Sequence, residues 1–371
     1  MSRHWFVLLS LFLFTSMTIA QQPEGKPLSI TSEERDAAVL AIGKEFDTRY
    51  VFPEVATKVK EALEAKVKEK SYDSITTGQA LAEKLTTDIQ AICRDKHVRV
   101  NCSNEKLPAR TGQQRPSPAD MKKMQEGMKA RNAGFTKVER LPGNIGYFRL
   151  DGFMNPEAGK EPLLATMMFL QNTDALIIDL RYNGGGTPDM IRDLCSYFFD
   201  AEPVHLNSMY FRQGNRKEEF WTNKEVPGPR YLNKDVYLLT SAFTFSGAEE
   251  CAYNFQTQKR GTIVGETTGG GAHPGGMVPV ADHYSIFIPT GRAINPVTGT
   301  NWEGVGVKPD VAVNADKALQ IAQELAIKKL LDSKDEAVKS RVKQDVEQSK
   351  RMEQRIEQRR QAALKEREGN K

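Results

Sequence analysis

Ser246 stands at a point in the chain where a hydroxyl could act as a nucleophile. It ends the run Thr240-Ser241-Ala242-Phe243-Thr244-Phe245 and is followed by Gly247-Ala248-Glu249. The pattern before it, Val236 to Thr240, reads as a buried strand, and Ser246 to Gln256 reads as a helix. A serine at a helix start sits where unpaired N–H groups and the positive end of the helix dipole converge. Those groups can stabilise an oxyanion formed beside the serine. The same residues also read as a capping box, with Glu249 three places after Ser246. This segment alone leaves both readings open.

Three further segments carry chemistry. Asp179-Leu180-Arg181-Tyr182-Asn183-Gly184-Gly185-Gly186-Thr187-Pro188 links an apolar strand, Ala175 to Leu180, to a helix, Pro188 to Phe199, with Thr187 as N-cap and Pro188 first in the helix. Its glycines let backbone N–H groups approach a ligand, as a second oxyanion donor would, or simply make a tight turn. The spacing is not that of a dinucleotide loop. Gly265 to Gly276 is a glycine-rich loop in which Gly269, Gly270 and Gly271 could cradle a substrate strand, though a surface loop reads much the same. Asn301-Trp302-Glu303-Gly304-Val305-Gly306-Val307-Lys308-Pro309-Asp310 holds an acid in a glycine-rich turn.

Together these segments resemble the tail-specific, or C-terminal processing, serine proteases, in the subgroup of the tricorn core and the interphotoreceptor retinoid-binding protein. The resemblance spans roughly residues 30 to 330. The family's D-L-R-x-N-x-G-G is Asp179 to Gly185, and its S-x-x-E is Ser246 to Glu249. Its G-E-x-T-x-G is Gly265 to Gly270, and its G-V-x-P-D is Gly306 to Asp310. Four motifs in family order favour Ser246 as nucleophile over Ser246 as cap. The family's base lysine has no counterpart: Gly271 stands at its place. The tricorn-like members instead use a histidine ahead of the core and an acid just before G-V-x-P-D; His97 and Glu303 match those places. Lys96 stands where the tricorn enzyme has a linking serine.

The resemblance implies acyl transfer to water. His97 takes the Ser246 proton, and Glu303 steadies the imidazolium directly or through water, with Asp95 as fallback on the same strand face. The N–H groups of Gly247 and of Gly184 or Gly185 hold the oxyanion. His273 competes as base, since it lies near the place of the family's lysine, but its loop shows neither an orienting partner nor a neighbouring acid. No metal or organic cofactor is implied. The rival reading is an idle core that binds an apolar ligand such as a retinoid.

These residues need elements to position them. Strands alternating with helices predict an α/β core with largely parallel pairing, and the resemblance makes it a crotonase/Clp-protease-like core of ββα units without a PDZ domain. A three-helix module precedes it: a helix capped by Ser32, one opened by Pro53 and running Val55 to Lys68, and one from Gln79 to Ile92. His97 to Val100 alternates like a strand. The expected layout is a signal peptide over 1–20, a helical module over 30–103, a linker or flap over 104–140, a core over 141–330, and a charged helical or disordered tail over 331–371.

The first residues set the compartment. Arg3 and His4 precede the apolar run Trp5 to Phe14, and small residues at Thr18 and Ala20 permit cleavage after Ala20. The expected mature protein is periplasmic or secreted and starts near Gln21, although an uncleaved anchor shares the pattern. Cys93, Cys102, Cys195 and Cys251 match no zinc spacing, and no obligatory disulfide is expected. Net charge is +4 with no basic stripe, which argues against nucleic acid as a partner. The expected partner is a peptide or protein substrate. The tail beyond Lys334 offers a protein contact but no sustained apolar seam, so removing it should change little.

Overall fold

The computed structural model describes residues 26–107 and 117–369, with side chains to 366. The proposed signal segment lies outside the described residues. Helix α1, Ser32–Arg49, is capped by Thr31, one residue before the expected Ser32. Thr31 Oγ1 accepts from Glu34 N–H at 3.2 Å and the Glu34 carboxylate accepts from Thr31 N–H at 2.9 Å. Two reciprocal bonds outcompete the single one Ser32 would offer. Helix α2, Pro53–Lys68, begins on its proline, and α3, Gly78–Cys93, ends on Arg94 in the left-handed region, φ 56°. Ile42, Phe46, Val59, Leu63, Leu81, Leu85 and Ile89 close one apolar core between them.

After α3 the chain makes a turn before its strand. Strand β1 is Arg99–Cys102, so Asp95 and His97 lie ahead of it and not on a common strand face. The reason is local: Asp95 Oδ1 accepts from His97 N–H at 3.0 Å and folds the backbone. The expected linker holds more structure than its composition promised. Helix α4, Pro118–Ala130, buries no residue, and β2, Phe135–Leu141, forms a sheet edge.

The core is built on β3 (Ile145–Leu150), α5 (Pro156–Leu170), β4 (Ala175–Asp179), α6 (Pro188–Ser196), β5 (His205–Phe211), β6 (Arg216–Trp221), β7 (Asp235–Thr240), α7 (Gly247–Thr257) and β8 (Thr262–Gly265). There follow β9 (Gly275–Ala281), β10 (Tyr284–Pro289), β11 (Gly291–Ile294), β12 (Val311–Ala312), α8 (Ala318–Leu331) and α9 (Glu336–Gly369). The central sheet has the order β12-β8-β7-β4-β3-β2 and is parallel except for the β2–β3 pair. Every residue of β4 is buried, as its unbroken apolar run requires. Leu176, Ile178, Leu238 and Ile263 face α5, α6 and α7, while Ile177, Leu239 and Val264 face α8. Period-two alternation thus feeds two cores. The sheets β1-β10-β9 and β11-β5-β6 are antiparallel, and the first seats the helical module through Ile286 and Ile288.

The tail departs from expectation at its start. Val342 is fully buried, and Val338 and Val346 pack beside it against the α8 side of the sheet. Asp345 accepts from the N–H groups of Gly143 and Asn144 at 2.7 and 3.1 Å, and Arg341 pairs with Asp174 at 2.6 Å. Valines spaced by four over two repeats make a narrow seam that the surrounding charge hides in the sequence. From Arg351 to Glu366 every residue is exposed. All four cysteines are free thiols; Cys195 and Cys251 are buried together in the core.

Candidate active site

Strand β7 delivers Ser246 to the start of α7 in a strained conformation, φ 54° and ψ −122°. A non-glycine residue there costs about 1–3 kcal/mol and persists only where neighbours impose it. Two hydrogen bonds, one to backbone and one to a side chain, do so: Phe245 N–H donates to Asn183 O at 3.1 Å, and Ser246 N–H donates to Glu249 Oε2 at 2.8 Å. Glu249 is fully buried and does more than serve the cap. Its Oε1 accepts from Thr268 Oγ1 at 2.5 Å and Gly270 N–H at 2.6 Å, and its Oε2 also accepts from Gly271 N–H at 2.8 Å. Burial raises its pKa while these donors pull the other way. One carboxylate therefore clips the glycine-rich loop to the turn that carries Ser246.

The second glycine segment lies against the same turn. A Cβ on Gly185 would stand 2.8 Å from Gly247 N and 2.9 Å from Ser246 Cβ, so only glycine fits, and its φ is 109°. Asn183 locks the segment: its Nδ2 donates to Leu150 O at 2.9 Å and its Oδ1 accepts from Gly185 N–H at 2.8 Å. That bond removes Gly185 from the expected oxyanion donors. Gly184 lines the cleft, and Gly247 at the first helical position has no intrahelical acceptor for its N–H.

His97 lines the same cleft as Ser246, held between the rings of Phe245 and Phe287 at 4.6 and 5.7 Å. Its Nδ1 lies 3.7 Å from Asp95 Oδ1, beyond a hydrogen bond, and has no hydrogen-bond partner. Asp95 is buried and also faces His273, whose Nδ1 is 2.7 Å from Asp95 Oδ2, while Tyr50 Oη donates to the same oxygen at 3.3 Å. Burial would raise the Asp95 pKa, but the hydrogen bond to His273 and the nearby His97 imidazole prevail and bring it to about 2. Glu303 lies 3.5 Å from His273 Nδ1 and accepts from Ala272 N–H at 2.5 Å. Burial and the Asp95 charge push its pKa up to about 7.

Two expectations are corrected here. The acid nearest His97 is Asp95, whereas Glu303 bonds Ala272 and faces His273, so the role of Glu303 as direct orienter of His97 has no contact behind it. The glycine-rich loop does fix an imidazole: His273 is buried and has two acids beside it, contacts that no sequence neighbour foretells. His273 is absent from the cleft wall that holds Ser246. Asp95, His273 and Glu303 each place a ligand atom within 4.8 Å of the others, a donor set that could hold a cation. Lys96 Nζ donates to Gly269 O at 2.6 Å and so pins the glycine loop from the other side. A side chain at Gly271 would strike the Phe245 ring at 2.3 Å and His97 Cε1 at 2.7 Å. A lysine has no room there once His97 occupies the site.

The cleft has a volume of about 460 Å³ and brings together Ser246, His97, Gly184, Gly247 and Glu250. Sequence reasoning missed Glu250, because an acid in the first turn of a helix reads as solvated; its place one turn after Ser246, next to Cys251 and Ala252, was the available signal.

Comparison with known proteins covers both halves of the chain. The profile of peptidase family S41 matches residues 144–313, and that of the N-terminal domain of peptidase S41 in eukaryotic IRBP matches residues 29–133. A curated relative, the chloroplastic C-terminal processing peptidase of Tetradesmus obliquus, is 25% identical over 179 residues, 46% of this chain and 36% of the relative. The chain thus spans about a third of the length of that relative. Among solved structures, a candidate peptidase from Parabacteroides merdae matches with a TM-score of 0.57 at 18% identity, covering 80% of this chain and 97% of that one. A lipoprotein from Streptococcus agalactiae matches with a TM-score of 0.51 at 16% identity, covering 79% and 96%. At those identities the two structures speak for the fold alone.

Proposed function

The chain belongs to peptidase family S41, and on that premise we propose that it is an exported serine peptidase with Ser246 as nucleophile. The observation that carries this reading is the single cleft shared by Ser246, His97 and the N–H-bearing Gly184 and Gly247. His97 accepts the Ser246 proton as Oγ attacks a peptide carbonyl. The carbonyl oxygen, now negative, takes N–H bonds from Gly247 and Gly184. Asp95, ionised far below neutral pH, stabilises the imidazolium. His97 then gives its proton to the leaving amine, and water, activated the same way, releases the acyl group. His273 holds Asp95 in place, and Glu303 holds His273.

The substrate is a peptide or protein, and the chemistry proposed needs no metal or organic cofactor. Residues 1–20 act as a signal peptide, so mature protein from the native host starts near Gln21 in the periplasm or medium. No helix among the described residues is long and apolar enough to cross a membrane. The exposed part of α9 is the proposed protein contact. A serine-directed fluorophosphonate separates this reading from a binding module for an apolar ligand such as a retinoid. The peptidase is labelled at Ser246 and hydrolyses peptides, and Ser246→Ala does neither while staying folded. A binding module is left unlabelled.

A further inference from the structure

One acid in the cleft plays no part in the acyl-transfer chemistry. Glu250 lies on α7 one turn beyond Ser246, lines the same cleft, and is 2% exposed. Its Oε1 has no hydrogen-bond partner. No lysine or arginine among the described residues forms an ion pair with it. Burial pushes its pKa up to about 8. Two more polar side chains share its isolation. Asn254, one turn further along α7, and Asn207, on β5, are 1% and 0% exposed, and each leaves both amide atoms unpartnered.

A buried polar atom without a partner is costly, and a folded protein rarely carries several together without a use. The cleft around Glu250 is walled by Pro188, Met209, Phe287, Ala293 and Trp302. Apolar walls with one acid among them suit a long alkyl stem that ends in a cation or strong donor. A neutral apolar side chain would fill the walls but leave the carboxyl unpaired, and a short polar one would leave the walls unfilled.

We propose that Glu250 is a specificity determinant, and that the substrate residue ahead of the cleaved bond is lysine or arginine, whose cation pairs with the Glu250 carboxylate. The inference rests on the peptidase reading above. Burial favours the protonated carboxyl in the resting protein; when the substrate cation docks, that proton leaves to solvent and the charged pair forms. No covalent step is involved, and Glu250 stays clear of the Ser246 proton transfer. Buried sites built to bond a polar group discriminate strongly against analogues lacking it, because the protein group is then left unpaired.

The test uses the full mature chain and two peptidyl diaryl phosphonates, identical except for lysine or norleucine in that position. The rate of Ser246 modification is measured for wild type, Glu250→Gln and Glu250→Asp, with a plain fluorophosphonate as reporter of the nucleophile. The expected result is faster modification by the lysine probe, by about tenfold or more. That ratio falls towards one in Glu250→Gln and keeps its direction in Glu250→Asp, which retains the carboxyl. Equal or faster modification by the norleucine probe in wild type, with the fluorophosphonate still labelling Ser246, overturns this inference alone. A lysine preference that survives in folded Glu250→Gln also overturns it. No labelling by the fluorophosphonate overturns the peptidase reading, and this inference with it.

Discussion

At the scale of single residues, the backbone at Ser246 stores strain that the proposed role as nucleophile accounts for. A residue with a Cβ at φ 54° and ψ −122° is held against its preference. Ser246→Gly relieves that strain, so the variant should be inactive and yet more stable than wild type by about 1 kcal/mol, read as a higher denaturant midpoint. A lower midpoint would mean the hydroxyl serves mainly to hold the helix. Glu250 gives a second prediction at this scale. Its pKa rises from 4.5 in the unfolded chain to about 8 when folded. Between those values the unfolded chain has released a proton that the native protein keeps, so raising pH costs stability. Relative to Glu250→Gln, wild type should therefore lose stability as pH rises from about 4.5 to about 8, with the difference constant above. A pH-independent difference would show that the carboxyl is not buried as described. Ser246 was legible in the sequence because a strand, a small-residue turn and a helix converge on it. The link from Asp95 to His273 was not, because its partners are 178 residues apart and only the fold brings them together.

At the scale of elements, the site depends on one helix, one loop and the carboxylate that joins them. Glu249 accepts four hydrogen bonds, from Ser246, Thr268, Gly270 and Gly271. Truncating it strands those donors in the interior. Glu249→Ala should destabilise the protein by about 3 kcal/mol or more and slow labelling of Ser246, because turn and loop lose their common anchor. Wild-type stability and labelling in this variant would show that the loop is fixed by Lys96 and the backbone alone. Elements with a clean period were legible: β4 from its apolar run, and α2 and α3 within two residues of their ends. Helix α5 was not, because Pro156, Gly159 and Pro162 break the pattern, although Asn155 caps it by accepting from Ala158 N–H at 3.1 Å. The β5–β6 hairpin was hidden by charge, Arg216-Lys217-Glu218-Glu219, on a strand that is half solvated. That omission mattered, since β5 supplies Met209 and Asn207 near the cleft.

At the scale of the whole molecule, an N-terminal module presents His97 and a core presents Ser246, with the β1-β10-β9 sheet seating one on the other. The tail belongs partly to this assembly. Cutting the chain after Lys334 removes Val338, Val342, Val346 and Asp345, and the fully buried Val342 alone contributes on the order of 1.5–3 kcal/mol. The truncated protein should melt several degrees lower, whereas cutting after Lys350 should leave the melting temperature unchanged. Equal melting temperatures for both truncations would return the whole tail to solvent. The account's central claim is that Ser246 is a nucleophile activated by His97. The measurement that tests it most directly is the rate of fluorophosphonate labelling, with the adduct located by peptide mass, in wild type, His97→Gln and His273→Gln. The account predicts an adduct on Ser246 in wild type, its loss in His97→Gln, and a slowed but measurable rate in His273→Gln. Full labelling in His97→Gln, together with loss in His273→Gln, would contradict it and move the base to the glycine-rich loop.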